Sequence, residues 1–240
     1  MSAPAIEARG LWRRFGRRAA LADLDLRVEG GSVTGLLGAN GAGKTTLLRL
    51  VAGLLLPSAG ELLVGGVAPD RGDPAQRPRL GFAAEQARLY PELRVAGFLR
   101  FAAGARGLRG AEARHAVEEA LERFGLEGVA RRTLGRCSQG MQQRAALAQA
   151  CLGDPPLLLV DEPTAGLDPL QRDAVHAQLA ERSHPRTLLL CTHDLDEARA
   201  LCDRVVVLRE GRCVAAGSPS QLLGGDALAL FADGRDEATA

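Results

Sequence analysis

The chain has 240 residues, a formal net charge of +1 and an apolar share of 46%. That length supports one sizeable domain, or one with a small lobe attached, around a buried core. Near-neutral charge offers no footprint for nucleic acid or an anionic membrane surface, and no run of about twenty apolar residues is present to span a bilayer.

Residues 5–11 and 21–28 alternate between apolar and polar side chains, which predicts an antiparallel lobe ahead of the core. Between them lies Trp12-Arg13-Arg14-Phe15-Gly16. An aromatic here either stacks on a nucleotide base or packs as a core or edge ring, and spacing alone favours the second. Residues 32–37 form a short apolar strand that feeds Gly-Ala-Asn-Gly-Ala-Gly-Lys-Thr-Thr at 38–46. Gly38, Gly43, Lys44 and Thr45 match the phosphate-binding pattern G-x-x-x-x-G-K-[ST]. A loop that wraps a triphosphate turns its backbone N–H groups inward, so glycines stand where a Cβ would clash. Leu47, Leu48, Val51 and Ala52 then follow at helical spacing up to Gly53, and the start of that helix adds its partial positive charge. Lys44 is the chain's single lysine; every other strongly basic side chain is arginine. A compact ammonium suits the β- and γ-phosphates where a planar guanidinium fits poorly, and the Thr45 hydroxyl suits Mg²⁺.

Beyond the loop, residues 61–64 and 80–84 read as strands, and Glu85-Gln86 leaves the second of them. Short helices are expected between Tyr90 and Gly110, then a helix over 112–124 stopped by Gly125. Residues 86–135 are therefore a largely helical insertion. Ser138 precedes a helix-forming stretch, 141–152, and is either a simple N-cap or part of an anion site. Residues 157–162 are a continuous apolar run ending in Asp161-Glu162, the pattern of a buried parallel strand with acids at its ligand-binding end. In a P-loop enzyme the first acid holds the Mg²⁺ shell and the second activates water. A helix over 173–182 and a buried strand over 187–191 follow, with His193 just past the strand's end. His115, His176 and His184 have no such context and read as surface or structural residues. Residues 204–208 and 212–216 predict a closing hairpin around Glu210-Gly211. Cys137, Cys151, Cys191, Cys202 and Cys213 form no C-x-x-C pair and read as free thiols in a reducing cytosol, mostly core filler. The N-terminus lacks a basic start followed by an apolar core, so no secretory signal is expected.

Together these pieces resemble the ATP-binding subunit of an ABC transporter, from about residue 5 to about residue 223. After the P-loop, Ser138-Gln139-Gly140-Met141-Gln142-Gln143-Arg144 is similar to the family's signature segment. Asp161-Glu162 resembles its Walker B acids, Ala165-Gly166-Leu167-Asp168 its D-loop, and His193 its switch histidine. Phe15 falls where the family stacks an aromatic on adenine. The resemblance implies an α/β fold: a P-loop NTPase core with a mostly parallel sheet, an N-terminal antiparallel β lobe and a helical lobe inserted at about 86–152. It implies a single domain over 1–223 and a C-terminal tail at 224–240, read as a short helix and frayed end.

The resemblance also implies the chemistry. ATP and Mg²⁺ are the expected cofactors, with Gly38, Asn40, Gly41, Gly43, Lys44, Thr45 and Thr46 around the phosphates. Two cassettes close head to tail on two ATP molecules, two copies of this chain being the expected pair. Lys44, Thr45 and Thr46 of one then face Ser138 and Gly140 of the other. Glu162 acts as general base, His193 contacts the γ-phosphate and Asp168 communicates between the sites. Thr45, Asp161 and Glu85 serve Mg²⁺, with Gln86 the alternative to Glu85. Closure and opening drive a transmembrane permease, which places the chain at the cytoplasmic face of the inner membrane. A groove containing Tyr90 is expected to receive a short cytoplasmic helix of that permease.

Two departures from the family pattern carry information. The inner positions of the signature read Gln139, Gly140 and Met141 rather than two glycines and a glutamine, and the strand-end glutamine is replaced by Glu85. Such variants resemble cassettes serving drug, lipid, polysaccharide and copper-enzyme maturation exporters. A soluble ABC remodelling factor is the competing class, but neither a tandem cassette with a charged linker nor a long coiled coil is present.

Overall fold

The computed structural model describes residues 4–69, 79–85, 89–180 and 186–224. Gln86, His184 and residues 225–240, on which parts of the sequence reading fall, lie outside the described residues. The chain divides into two compact units: Met1–Pro78 with Thr187–Ala240, and Arg79–Arg186.

The first unit contains β1 (Pro4–Phe15), β2 (Arg18–Glu29), β3 (Val33–Leu37), α1 (Lys44–Val51) and β4 (Ala59–Val64). After the second unit it resumes with β7 (Thr187–Thr192), α6 (Leu195–Leu201), β8 (Arg204–Arg209), β9 (Arg212–Gly217) and α7 (Pro219–Leu222). β1 pairs antiparallel with both β2 and β4, giving the expected N-terminal lobe. Both long strands run further than the alternation suggests, so Trp12 to Phe15 lies on β1 rather than in a connection. Register shifts at Ala8/Leu11, Leu11/Arg13 and Arg13/Arg14 explain why the period-two pattern fades there.

β3 is flanked by β7 and β8, both parallel to it, and β9 closes antiparallel on β8. Every residue of β3 and β7 is buried, as continuous apolar runs with helices on their faces require. Each leucine withdrawn from water in this way contributes about 2 kcal/mol.

The second unit holds β5 (Leu80–Ala83), α2 (Val95–Ala105), α3 (Gly110–Arg123), α4 (Gln139–Cys151), β6 (Leu157–Asp161) and α5 (Pro169–Ala180). β5 and β6 are parallel, with Ala83 opposite Val160. The Tyr90–Gly110 region contains one helix where short ones were expected. Val95, Phe98, Leu99, Ala102 and Ala103 are its buried side chains, an i, i+3, i+4, i+7, i+8 stripe whose packing outweighs the cost of Gly97 and Gly104. α3 ends before Gly125, which takes the left-handed conformation at φ 58° that stops a helix.

Candidate functional site

The P-loop is held in shape by the first unit's own backbone. A Cβ on Gly38 would lie 2.3 Å from the Leu208 carbonyl oxygen of β8. One on Gly43 would lie 2.6 Å from the Ala20 carbonyl oxygen and 2.7 Å from a methyl of Leu21. Gly43 also sits at φ 108°, as the cap from which α1 begins. That cap has no side-chain hydrogen bond, so the first N–H groups of α1 are not taken by a capping side chain. These are the features an anion cradle needs. The Lys44 ammonium is buried and donates to the Gly38 carbonyl at 2.7 Å, folded over its own loop. Thr45 and Thr46 are half-buried in the first turn, and Asn40 and Gly41 are exposed at the tip.

A further support was not legible in the sequence. The turn between β8 and β9 reaches the loop: the Gly211 N–H donates to the Ala42 carbonyl at 3.0 Å, and the Gly211 carbonyl accepts from Ala22 N–H at 2.9 Å. Gly211 has φ 76°, and a Cβ there would meet Ala20 and Leu21 at 2.6–2.8 Å. The sequence marks it only as a turn glycine.

Two other expected residues share this unit. Thr192 pairs with Leu37, so His193 and Gly38 leave neighbouring parallel strands at the same end. His193 is exposed, followed by Asp194, which caps α6 by accepting from the Asp196 and Glu197 N–H groups. Phe15 ends β1 with 48% of its surface exposed, which removes the core-aromatic alternative.

In the second unit, β6 is buried along its length and delivers Asp161, 1% exposed, and Glu162, 8% exposed. Glu162 has φ 48°, a conformation a non-glycine residue holds at a cost of about 1–3 kcal/mol and which clusters at functional sites. The parallel register carries Glu85, exposed, off β5 at the same end. Asp168 precedes α5 and accepts from the Gln171 N–H at 2.9 Å, so it caps that helix.

Ser138 is the N-cap of α4, its hydroxyl accepting from the Met141 N–H at 3.3 Å. The other end of α4 is held by arginines. Arg106 donates to the Ala150 and Leu152 carbonyls, and Arg79 to that of Gly153, matching the negative end of the helix. Gly140 is buried, and a Cβ there would lie 2.3 Å from Gln171 Oε1. The Gln139 amide donates to the Ala165 carbonyl at 3.5 Å and covers Gly166, whose added Cβ would meet it at 2.7 Å. Signature and D-loop segments are thus matched through two glutamines. Gln171 carried no sequence signal, because its partner lies thirty-odd positions away in the chain.

The expected residues therefore fall into two sets: Phe15, the 38–46 loop and His193 in one unit; Glu85, Ser138, Gly140, Asp161, Glu162 and Asp168 in the other. Burial pushes the Cys202 thiol up to about 12 and raises that of Cys151, so both are protonated at neutral pH.

The family model described as "ABC transporter" matches residues 21–165. The chain belongs to the ABC transporter family. Among its curated ABC relatives, the probable multidrug ABC transporter ATP-binding protein YbhF of Escherichia coli is 37% identical over 218 residues, covering 90% of this chain and 38% of that protein. The Fe(3+) ions import ATP-binding protein FbpC of Agrobacterium fabrum is 36% identical, over 94% of this chain and 64% of that protein. The Nod factor export ATP-binding protein I of Cupriavidus metallidurans is 36% identical, over 95% and 77%. The chain thus spans less than two thirds of the first two. Among solved structures, a dimeric ABC ATP-binding cassette in a post-hydrolysis state with ADP and Pi superposes with a TM-score of 0.80 at 26% identity, over 89% of this chain and 98% of that one. The α/β fold with its mixed sheet and antiparallel lobe is that of the ABC ATPase cassettes.

Proposed function

We propose that this chain binds and hydrolyses Mg·ATP as the motor subunit of a membrane transporter, acting in pairs and coupled to a separate permease. The observation that carries the reading is the start of α1, free of a side-chain cap, behind a loop whose Gly38 and Gly43 have no room for a Cβ, with the buried Lys44 ammonium across it. Lys44 and the α1 N–H groups hold the triphosphate, and Thr46 lies beside them. Thr45, Asp161 and Glu85 offer hydroxyl and carboxylate oxygens, the hard donors Mg²⁺ takes, and few protein ligands are needed when phosphates complete its shell. When bound, Mg²⁺ neutralises charge developing on the phosphate oxygens. Glu162 takes the proton from the attacking water, and His193 holds the γ-phosphate. Ser138 and Gly140 close on the partner cassette's nucleotide, and Asp168 links the two sites. Two copies of this chain form the proposed pair, a reading supported by the dimeric cassette with ADP and Pi.

Ser138→Arg tests the pairing. Losing the cap costs α4 only about 1 kcal/mol, so the fold survives, while the bulk blocks approach of the partner's γ-phosphate. In a Glu162→Gln background, light scattering with ATP is expected to give a dimer for Ser138 and a monomer for Arg. A stable dimer with arginine would leave Ser138 as a structural cap alone.

Export is the proposed direction, supported by the signature variant and the Nod factor relative; FbpC, at similar identity, is named for import, so transport in vesicles of defined orientation decides it. The proposed place is the cytoplasmic face of the inner membrane, where the permease holds the chain; among the described residues no helix is long and apolar enough to cross a membrane. Tyr90 and Phe101 are the proposed contact. Val95, Phe98 and Leu99 are buried, whereas Tyr90 and Phe101 stay 51% and 58% exposed as an edge-to-face pair with centroids 5.7 Å apart. A solvent-facing aromatic pair with a polar tip suits a short helix of the permease. Tyr90→Ala is expected to keep the isolated subunit's ATPase activity while recovery with the co-expressed permease falls several-fold. Undiminished recovery would move the contact elsewhere.

A further inference from the structure

Phe15 has company that its place in the sequence does not explain. The Arg13 guanidinium lies over its ring, 4.5 Å from the centroid, two residues back along the same strand. A cation so placed is drawn to the negative face of the ring and occupies that face. Arg13 is itself fastened, donating to the Leu56 carbonyl at 2.8 Å. The strand around it is pinned to the same segment. Ser58 N–H donates to the Trp12 carbonyl at 2.7 Å, and Arg14 N–H to the Ser58 hydroxyl at 3.0 Å. That segment leaves α1 directly, with Leu54 and Leu55 N–H groups both donating to the Arg49 carbonyl. The exposed ring is therefore tied, through one arginine, to the far end of the helix whose start forms the phosphate cradle. The neighbouring Trp12 is served differently, with Arg14 at 4.7 Å and Arg212 at 5.8 Å.

We propose that Arg13 is a positioning residue for the nucleotide base: it holds the Phe15 ring from one face so that adenine stacks on the other. This rests on the reading of Phe15 as the aromatic that stacks on the base, which the family resemblance implies. A ring fixed before the ligand arrives loses less freedom on binding, so the benefit is to affinity for a nucleotide that carries a base. Arg13 then contributes nothing to the recognition of phosphates alone.

The test is titration calorimetry of the full chain with Mg·ATP and, separately, with inorganic tripolyphosphate, which has the charge but no base. Wild type, Arg13→Ala, Phe15→Ala and the double variant are compared. Arg13→Ala is expected to weaken ATP about three- to tenfold and to leave tripolyphosphate affinity unchanged. The double variant is expected to bind ATP no worse than Phe15→Ala alone, because Arg13 acts only through the ring. Should Arg13→Ala fold poorly, Arg13→Met keeps the aliphatic stem without the cation and is expected to give the same split. Equal weakening of both ligands would overturn the proposal by placing Arg13 on the phosphates. So would wild-type ATP affinity in Arg13→Ala while Phe15→Ala is impaired, a result that leaves the base reading standing. If Phe15→Ala itself binds ATP normally, the base reading fails and this one with it.

Discussion

Glu162→Gln is expected to keep ATP affinity within about twofold of wild type and to lower steady-state turnover by about two to four orders of magnitude. The amide has the size and shape of the carboxylate, so the buried position past β6 is filled as before. The left-handed backbone at φ 48° is held by the loop, and glutamine meets it at much the same cost as glutamate. What the amide cannot do is take a proton from water. Hydrolysis stalls while nucleotide still binds, so size-exclusion chromatography with Mg·ATP should show a dimer that wild type does not accumulate. Phosphate release separates the readings: turnover within a few-fold of wild type would remove Glu162 from the role of base. A melting temperature well below wild type would trace any loss to the strained backbone instead.

Legibility in the sequence followed the range of the interaction that fixes each feature. The P-loop was readable because its glycines stand close together, and Gly38 and Gly43 each exclude a Cβ. The atoms that exclude it, the Leu208 and Ala20 carbonyls, come from strands far away in the chain and were not readable. The buried strands β3, β6 and β7 announced themselves as apolar runs, since parallel strands covered on both faces need no alternation. β1 was cut short at residue 11, where the alternation ends, yet the strand runs on with Arg13 and Arg14 lying over the Phe15 and Trp12 rings at the sheet surface. The mixture of polar and apolar residues between Tyr90 and Gly110 suggested short helices, where a five-residue apolar stripe makes one, α2.

The site shows the same division. Ser138 was legible as a cap because capping is local. What Gly140 packs against was not. Its neighbour is the end of the Gln171 side chain, a contact between the starts of two helices. Gln139, a departure from the family pattern, is matched by the bare Gly166 beneath its amide. Gln142 and Arg144 of the signature segment turn inward, donating to the Leu134 and Cys137 carbonyls and to those of Phe124 and Gly125. They fix the approach to Ser138 rather than any ligand.

Lys44→Ala is expected to weaken nucleotide binding itself, which distinguishes it from Glu162→Gln. Lys44 is 6% exposed and its ammonium spans its own loop to the Gly38 carbonyl at 2.7 Å, so it already stands among the groups proposed to face the phosphates. A hydrogen bond between charged partners contributes about 1.5–3 kcal/mol, which corresponds to ATP affinity lower by about ten- to a hundredfold. The folded protein without nucleotide should suffer little, because the substitution removes a buried charge along with its hydrogen bond, and Gly38 to Gly43 keep their backbone supports. Thermal melting reads both statements at once: a ligand that binds only the native state raises the midpoint by an amount set by its concentration over Kd. Wild type and Lys44→Ala should melt at similar temperatures alone, and Mg·ATP at about ten times the wild-type Kd should raise the first several times more than the second. Lys44→Arg should not restore the shift, since a planar five-donor fork does not fit where a compact ammonium folds back over a tight loop. An undiminished ATP-dependent rise in Lys44→Ala would remove this lysine, and with it the loop, from the phosphate site.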